Sequence, residues 1–280
     1  MKILYSDSFK FFCLAAIIML PRVTLAAQPA ASPLVDPLVF GVLNQQSPIQ
    51  TAERWNPILR YLGKKTGAHF QLKMGATVEQ TDAMMGREEF DLIFTNHNFQ
   101  TEYDGKYRVL AHRVGKPIQG VIVVNKDSPI RSLKDLQGRT VAFPSADAVV
   151  GYAVPSVALK EIGVSVTAKF AGNQEGALAQ LKARRVDAAA VNLRFVEPYS
   201  QREGLHTRTI YISESFHEIP VVIHPRVPPR LADEIRTALI GMATDPAAAA
   251  MLNEAKCPGF EAADESDYEN VRRVYRLIGQ

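Results

Sequence analysis

The sequence predicts an α/β fold, and three observations predict it. Short β-branched runs such as Val121–Val124, Arg139–Phe143 and Asp187–Val191 are bounded by Gly, Pro and polar residues, the pattern of buried strands. Between such runs, apolar residues recur at helical spacing, as in Trp55, Ile58, Leu59 and Leu62. Polar loops follow the predicted strands where helices begin, which in open α/β sheets is the ligand-binding edge.

In order along the chain, Lys2 and Lys10 precede the apolar run Phe11–Leu20, and small residues follow at Ala26 and Ala27. That is the layout of a secretory signal peptide over residues 1–27. The run is too short for a comfortable membrane span; cleavage is expected after Ala26 or Ala27, with Arg22 unusual between the core and that bond, and a retained anchor is the alternative. Cys13 lacks a lipoprotein context and leaves with the leader, so Cys257 is alone in the exported chain and no intramolecular disulfide is expected. Residues 28–37, rich in Ala and Pro, read as a flexible lead-in. Of 32 basic and 29 acidic residues the leader holds three and one, so the mature chain is nearly neutral and its charge points to neither nucleic acid nor an anionic membrane.

Leu38–Leu43 is the first strand, and Pro48 suits the start of the helix that Gly67 ends. Trp55 in that helix reads as core or as cleft wall. His69–Met74 is a strand, Thr77 with Gln80 forms a capping pattern for the helix to Arg87, and Asp91–Phe94 is a third strand. Tyr107–Val114 and Ile118–Val124 are two longer strands, the first leaving the opening domain and the second entering the next. Ser132 and Asp135 cap a short turn, and the segment from Ala148 is helical. Val166–Phe170, Asp187–Val191 and Thr207–Ile212 are further strands, with helices at Glu175–Arg185 and Phe195–Arg202 between them. Val221–His224 is apolar again, and helices are expected at Leu231–Ala243, Pro246–Ala255 and Asp267–Ile278.

The phrase KDSPIRSLKDLQGRTVAF, Lys126 to Phe143, resembles the signature of type 2 periplasmic solute-binding proteins, and the chain is similar to their phosphate/phosphite/phosphonate-binding branch. The likeness runs from Phe40-Gly41-Val42 through Trp55-Asn56-Pro57, Tyr61-Leu62, Thr66-Gly67, Asp91-Leu92 and Gly151-Tyr152 to Val186-Asp187-Ala188, and it is carried by their order and spacing. The resemblance implies a two-domain, Venus-flytrap α/β protein with a ligand cleft between domains. Domain I would comprise residues 38–120 and 216–280, with the last helices packed back on it, and domain II residues 121–215. It further implies a periplasmic monomer that captures a small solute, phosphonate- or oxyanion-like or less charged, for an ABC importer, with no cofactor and no metal.

Candidate ligand-binding residues sit at predicted strand ends. Asn96, His97 and Asn98 offer amide and imidazole hydrogen bonds, with Phe99 as an apolar wall, or form an ordinary polar loop. Gly172-Asn173-Gln174-Glu175 stands where the family shows Gly-Ser-His and an acid, so Gln174 replaces a histidine or else caps the next helix. Asn192 and Asp187 bracket a strand as the family's asparagine and acid do; Asp187 alternatively ends a turn. At the central loop the family's Ser-Thr-Ser-Gly hydroxyl cluster aligns with Ala148-Val149-Val150-Gly151, with Ser145, Asp147 and Tyr152 nearby. The loss of three hydroxyl donors implies weak binding of phosphate and simple phosphonates, and a less charged or more apolar ligand, one form of which carries an amine facing Asp147 or Glu175.

The chain has no G-x-S-x-G elbow, H-E-x-x-H pair, Walker loop or dinucleotide fingerprint, its six histidines are scattered, and Lys182, Arg184 and Arg185 read as a solvated face. No catalytic residue is assigned. The alternative to transport is a ligand-sensing subunit feeding a membrane histidine kinase or other sensor, and after it an exported enzyme on the same fold.

Overall fold

In the computed structural model, which describes residues 36–44 and 47–279, the strands gather into two sheets. The expected signal peptide and most of the lead-in lie outside the described residues. The chain opens with β1 (Leu38–Val42), α1 (Pro48–Thr66), β2 (Phe70–Lys73), α2 (Val78–Gly86) and β3 (Leu92–Phe94). Ser47 Oγ accepts the Gln50 N–H and Gly67 closes α1 at φ 72°, so the helix begins and ends where the sequence places its caps. β4 (Arg108–Arg113) completes the outward run, after which the chain crosses to β5 (Gly120–Asn125) of the other sheet.

The second sheet contains β5, β6 (Thr140–Phe143), β7 (Thr167–Phe170), β8 (Ala188–Asn192) and β9 (Thr207–Ile212), in the order β7-β6-β8-β5-β9. Helices α3 (Val154–Glu161), α4 (Gln174–Lys182) and α5 (Val196–Glu203) connect its strands. The chain then returns through residues 213–219 to β10 (Pro220–Ile223), followed by α6 (Pro229–Gly241), α7 (Pro246–Glu254), β11 (Phe260–Ala262) and α8 (Glu269–Ile278). The first sheet runs β11-β4-β10-β3-β1-β2. β1 pairs in parallel with β2 and β3, and β6 in parallel with β7 and β8, whereas the strands beside the two crossings pair antiparallel. An isolated antiparallel bridge, Ile118 to Phe216, ties the crossings together.

Trp55 belongs to the core under the first sheet. Its ring lies 5.0 Å from Phe40 and 4.9 Å from Phe94, and it is buried with Ile58, Leu59 and Leu62. That resolves its two readings in favour of packing.

Three features depart from the sequence reading. β11 was not foreseen, because three residues behind Gly259 carry too little periodicity to read; Phe260 nevertheless fills the space beside Trp55, 6.1 Å away. The helix from Ala148 begins as a π-helical turn, Val149–Ala153, in which the Ala153 N–H reaches the Ala148 carbonyl at 3.1 Å. Pro155 has no N–H for Gly151, and the turn preceding it is wide. The last helices also divide their allegiance. α6 and α7 pack on α1, but α8 packs on α3 and the π-turn as well as on the turn at Phe99, its Val271, Val274 and Tyr275, with Tyr268 just before it, joining Phe99, Val149, Val150, Val154 and Val157 in one buried cluster. A helix with a continuous apolar stripe goes where a matching stripe is open, and α3 offers one.

Candidate functional site

A cleft of about 520 Å³ opens where the carboxyl ends of both sheets meet. Of the eleven residues expected there, Asn96, His97, Ser145, Asp147, Val149, Val150, Gln174, Glu175 and Asn192 line it. Asn98 and Tyr152 do not. Asn98 is buried beside the wall, its Oδ1 without a hydrogen-bond partner among the described residues. Tyr152 emerges on the other face of its turn, edge-on to Phe143 at 5.1 Å and to Phe170 at 5.2 Å, because the wide winding of the π-turn rotates it away from Val149 and Val150. Phe99 likewise is no cleft wall: it stacks on Tyr268 at 4.7 Å under the Arg272 guanidinium.

On the side of the first sheet, His97 is 1% exposed and its Nδ1 lies 2.9 Å from an Asp82 carboxylate oxygen. That contact calls for a proton on Nδ1, donated to the carboxylate. Asn44, at the end of β1, lines the cleft but is committed to the scaffold, with Nδ2 donating to Gly75 O and Oδ1 accepting the Thr81 hydroxyl.

The second sheet supplies the donors. The Tyr152 N–H bonds to Ala148 O at 2.7 Å, but the preceding N–H groups, of Val149, Val150 and Gly151, have no acceptor among the described residues. They belong to cleft-lining residues and are the unpaired donors of a helix start. Two glycines permit this geometry. A Cβ on Gly151 would stand 2.8 Å from Pro144 Cγ and 3.1 Å from Gln174 Nε2; one on Gly120 would stand 2.2 Å from the Val150 carbonyl oxygen. Gln174 is not the helix cap. Asn173 takes that role by accepting the Gly176 N–H, while Gln174 Oε1 accepts the Asn192 N–H at 2.8 Å and leaves its Nε2 for the cleft.

Charge on the wall is sparse. Glu175 is exposed and already paired with Arg202 at 2.9 Å, so it is a poor partner for a ligand amine. Asp147 has no cation against it among the described residues. Asp187 stands at the opposite end of β8, where its carboxylate accepts the Thr140 N–H at 2.9 Å; it is the turn residue of its two readings. The residue the sequence did not reveal is Arg194, just past β8, which lines the cleft and whose N–H closes a turn onto Asn192 Oδ1 at 3.1 Å. Only its place two residues beyond a strand end hinted at it. Among the described residues, no group of three or more His, Cys, Asp or Glu is placed to hold a metal ion, and no helix is long and apolar enough to cross a membrane.

Two α/β sheets with a polar cleft at their strand ends and a double crossing between them define a type 2 periplasmic binding protein. The chain belongs to the family of ABC transporter, phosphonate, periplasmic substrate-binding proteins, whose model matches residues 40–268. Its role is therefore that of a substrate-binding component of an ABC importer, not an enzyme, and its setting extracytoplasmic. The fold is shared with XAC2383 from Xanthomonas citri bound to ATP, at 18% identity over 88% of this chain and 98% of that one, TM-score 0.74. PhnD1 from Prochlorococcus marinus in complex with methylphosphonate matches at 17% identity over 86% and 98%, TM-score 0.68. A binding protein component of an ABC phosphonate transporter from Pseudomonas aeruginosa matches at 17% identity over 85% of each chain, TM-score 0.65.

Proposed function

We propose that the protein is exported by its leader, acts as a monomer, and closes its two sheet domains around a small solute less charged than a phosphonate dianion, which it hands to an ABC permease. The observation that carries this reading is the cradle at the π-turn: three unpaired backbone N–H groups flanked by the methyl groups of Ala148, Val149 and Val150, with the unpaired Asp147 carboxylate beside them. Backbone donors suit one polar or anionic group. A dianion removed from water needs more charge-assisted bonds than these, and each one missing weakens binding by roughly 1.5–3 kcal/mol. Two such losses amount to about two to four orders of magnitude in affinity. Asp147 adds repulsion for an anion and attraction for an ammonium or hydroxyl.

Closure follows from a solute that touches both walls, because only the closed form makes both sets of contacts. The test is a thermal-shift screen of small solutes on the mature chain, followed by solution scattering with each hit. A hit that lowers the radius of gyration supports the proposal; an unchanged radius at saturation counts against closure.

A further inference from the structure

Among the described residues that line the cleft, Arg194 is the one Lys or Arg. Its Nη1 donates to Glu218 Oε1 at 2.6 Å, and the pair is lopsided: the Arg194 side chain is 49% exposed, that of Glu218 6%. Glu218 lies in the second crossing segment and is held there from two sides. Its main-chain carbonyl accepts the Tyr268 hydroxyl at 2.7 Å, and a Cβ on Gly115 of the first crossing would stand 2.8 Å from its Cγ. Arg194 thus reaches from the end of β8 back to a carboxylate fixed at the crossings. A guanidinium has five N–H donors, so the exposed part of the group keeps several for the cleft.

We infer that the Arg194–Glu218 pair sets the charge the cleft accepts, docking one negative charge of the solute and refusing a second. This rests on the solute-binding reading above and names the solute class within it. One anion shares the guanidinium with Glu218. A dianion brings an uncompensated charge into a site whose one guanidinium is already shared with Glu218, behind the wall, and whose lining carries the Asp147 carboxylate. Arg194 cannot leave Glu218 to serve the ligand alone, because a buried carboxylate stripped of its partner is strongly disfavoured. The class recognised is a small solute with a single carboxylate, sulfonate or singly ionised phosphoryl group, zwitterionic when it also carries an ammonium for Asp147. Arg194 is the contact residue; Glu218 is a positioning residue that acts through it.

Three isosteric probes separate the charges: dimethyl sulfone (neutral), methanesulfonate (one charge) and methylphosphonate at alkaline pH (two charges). Calorimetry on the mature wild type, Arg194→Lys, Arg194→Gln and Glu218→Gln, each checked for folding by circular dichroism, reads the proposal. The wild type should prefer methanesulfonate. Arg194→Gln should weaken it about 10- to 100-fold, the range of a charge-assisted hydrogen bond, and leave the sulfone unchanged. Arg194→Lys should retain part of the preference. Glu218→Gln should shift the ratio of methylphosphonate to methanesulfonate affinity at least about 10-fold toward the dianion, since the opposing charge is gone. A merely structural pair would weaken all three probes together. An unaltered ranking in Arg194→Gln, or an unaltered ratio in Glu218→Gln, overturns the assignment and leaves solute binding intact. Should Arg194→Gln fail to fold, Arg194→Lys and Glu218→Gln carry the test. Should no probe bind, mass spectrometry of solute released from the denatured wild type decides: a single acidic group supports the assignment, a neutral or doubly charged solute overturns it. Absence of any bound solute as well overturns the assignment.

Discussion

Gln174 Oε1 accepts the Asn192 N–H at 2.8 Å, tying the first residue of α4 to the end of β8 beneath the cleft. We expect Gln174→Ala to leave that buried N–H without an acceptor, costing about 1–3 kcal/mol in chemical denaturation. Gln174→His should make anion binding pH-dependent, stronger below the ordinary imidazole pKa of about 6.5.

Gly120 and Val150 form a second constrained contact, since a Cβ on Gly120 would meet the Val150 carbonyl oxygen at 2.2 Å. Backbone cannot retreat as a flexible side chain does. Gly120→Ala should destabilise the protein by about 1–3 kcal/mol, the usual cost of overpacking. Gly241→Ala, where nothing stands within 4 Å of the new Cβ, should be stabilising by up to about 1 kcal/mol. Differential scanning calorimetry of the two variants checks the contrast.

Restoring hydroxyls at the cradle separates affinity from stability. The triple variant Ala148→Ser, Val149→Thr, Val150→Ser should bind methylphosphonate at least about 10-fold more tightly than the wild type. It should also melt earlier, because Val149 and Val150 are both buried among Phe99, Ile118 and Tyr275. Parallel titration and thermal unfolding read the two effects.

The pH dependence of stability has an identifiable contributor far from the cleft. Lys65, the Ala247 N–H and Tyr61 hold the Asp245 carboxyl down at about 2, against an ordinary value of 3.8. A depressed folded-state pKa stabilises above the unfolded value and loses that contribution as pH falls from about 3.8 through about 2. The gap in melting temperature between the wild type and Asp245→Asn should therefore narrow across that window. A gap that stays constant would contradict the contribution.

Trp55 is the single tryptophan, and its burial between Phe40 and Phe94 places it in the core rather than on the cleft wall. We expect its fluorescence to change little when solute binds. A large spectral shift would mean that the core of the first sheet rearranges with the cleft.

The elements were legible in the sequence where caps and periodicity agree. Ser47 and Gly67 bound α1 as read, and Ser132 with Asp135 forms its capping box. Strand-end position and the family resemblance together placed nine residues on the cleft lining, seven of them polar and two, Val149 and Val150, apolar. What failed depends on rotation and on distant partners. Tyr152 and Phe99 are close in sequence to cleft residues yet point elsewhere, and the direction of a side chain around a π-turn or a short loop is set by packing. Arg194 acquires its meaning only from Glu218, 24 residues away, and the seat of α8 on α3 is likewise a tertiary choice.

Calorimetric titration of the mature chain with inorganic phosphate and with methylphosphonate at alkaline pH tests the central claim most directly. The cradle of three backbone N–H groups beside Asp147 predicts dissociation constants weaker than micromolar for both. Sub-micromolar binding of either dianion would show that backbone donors suffice and would contradict the account.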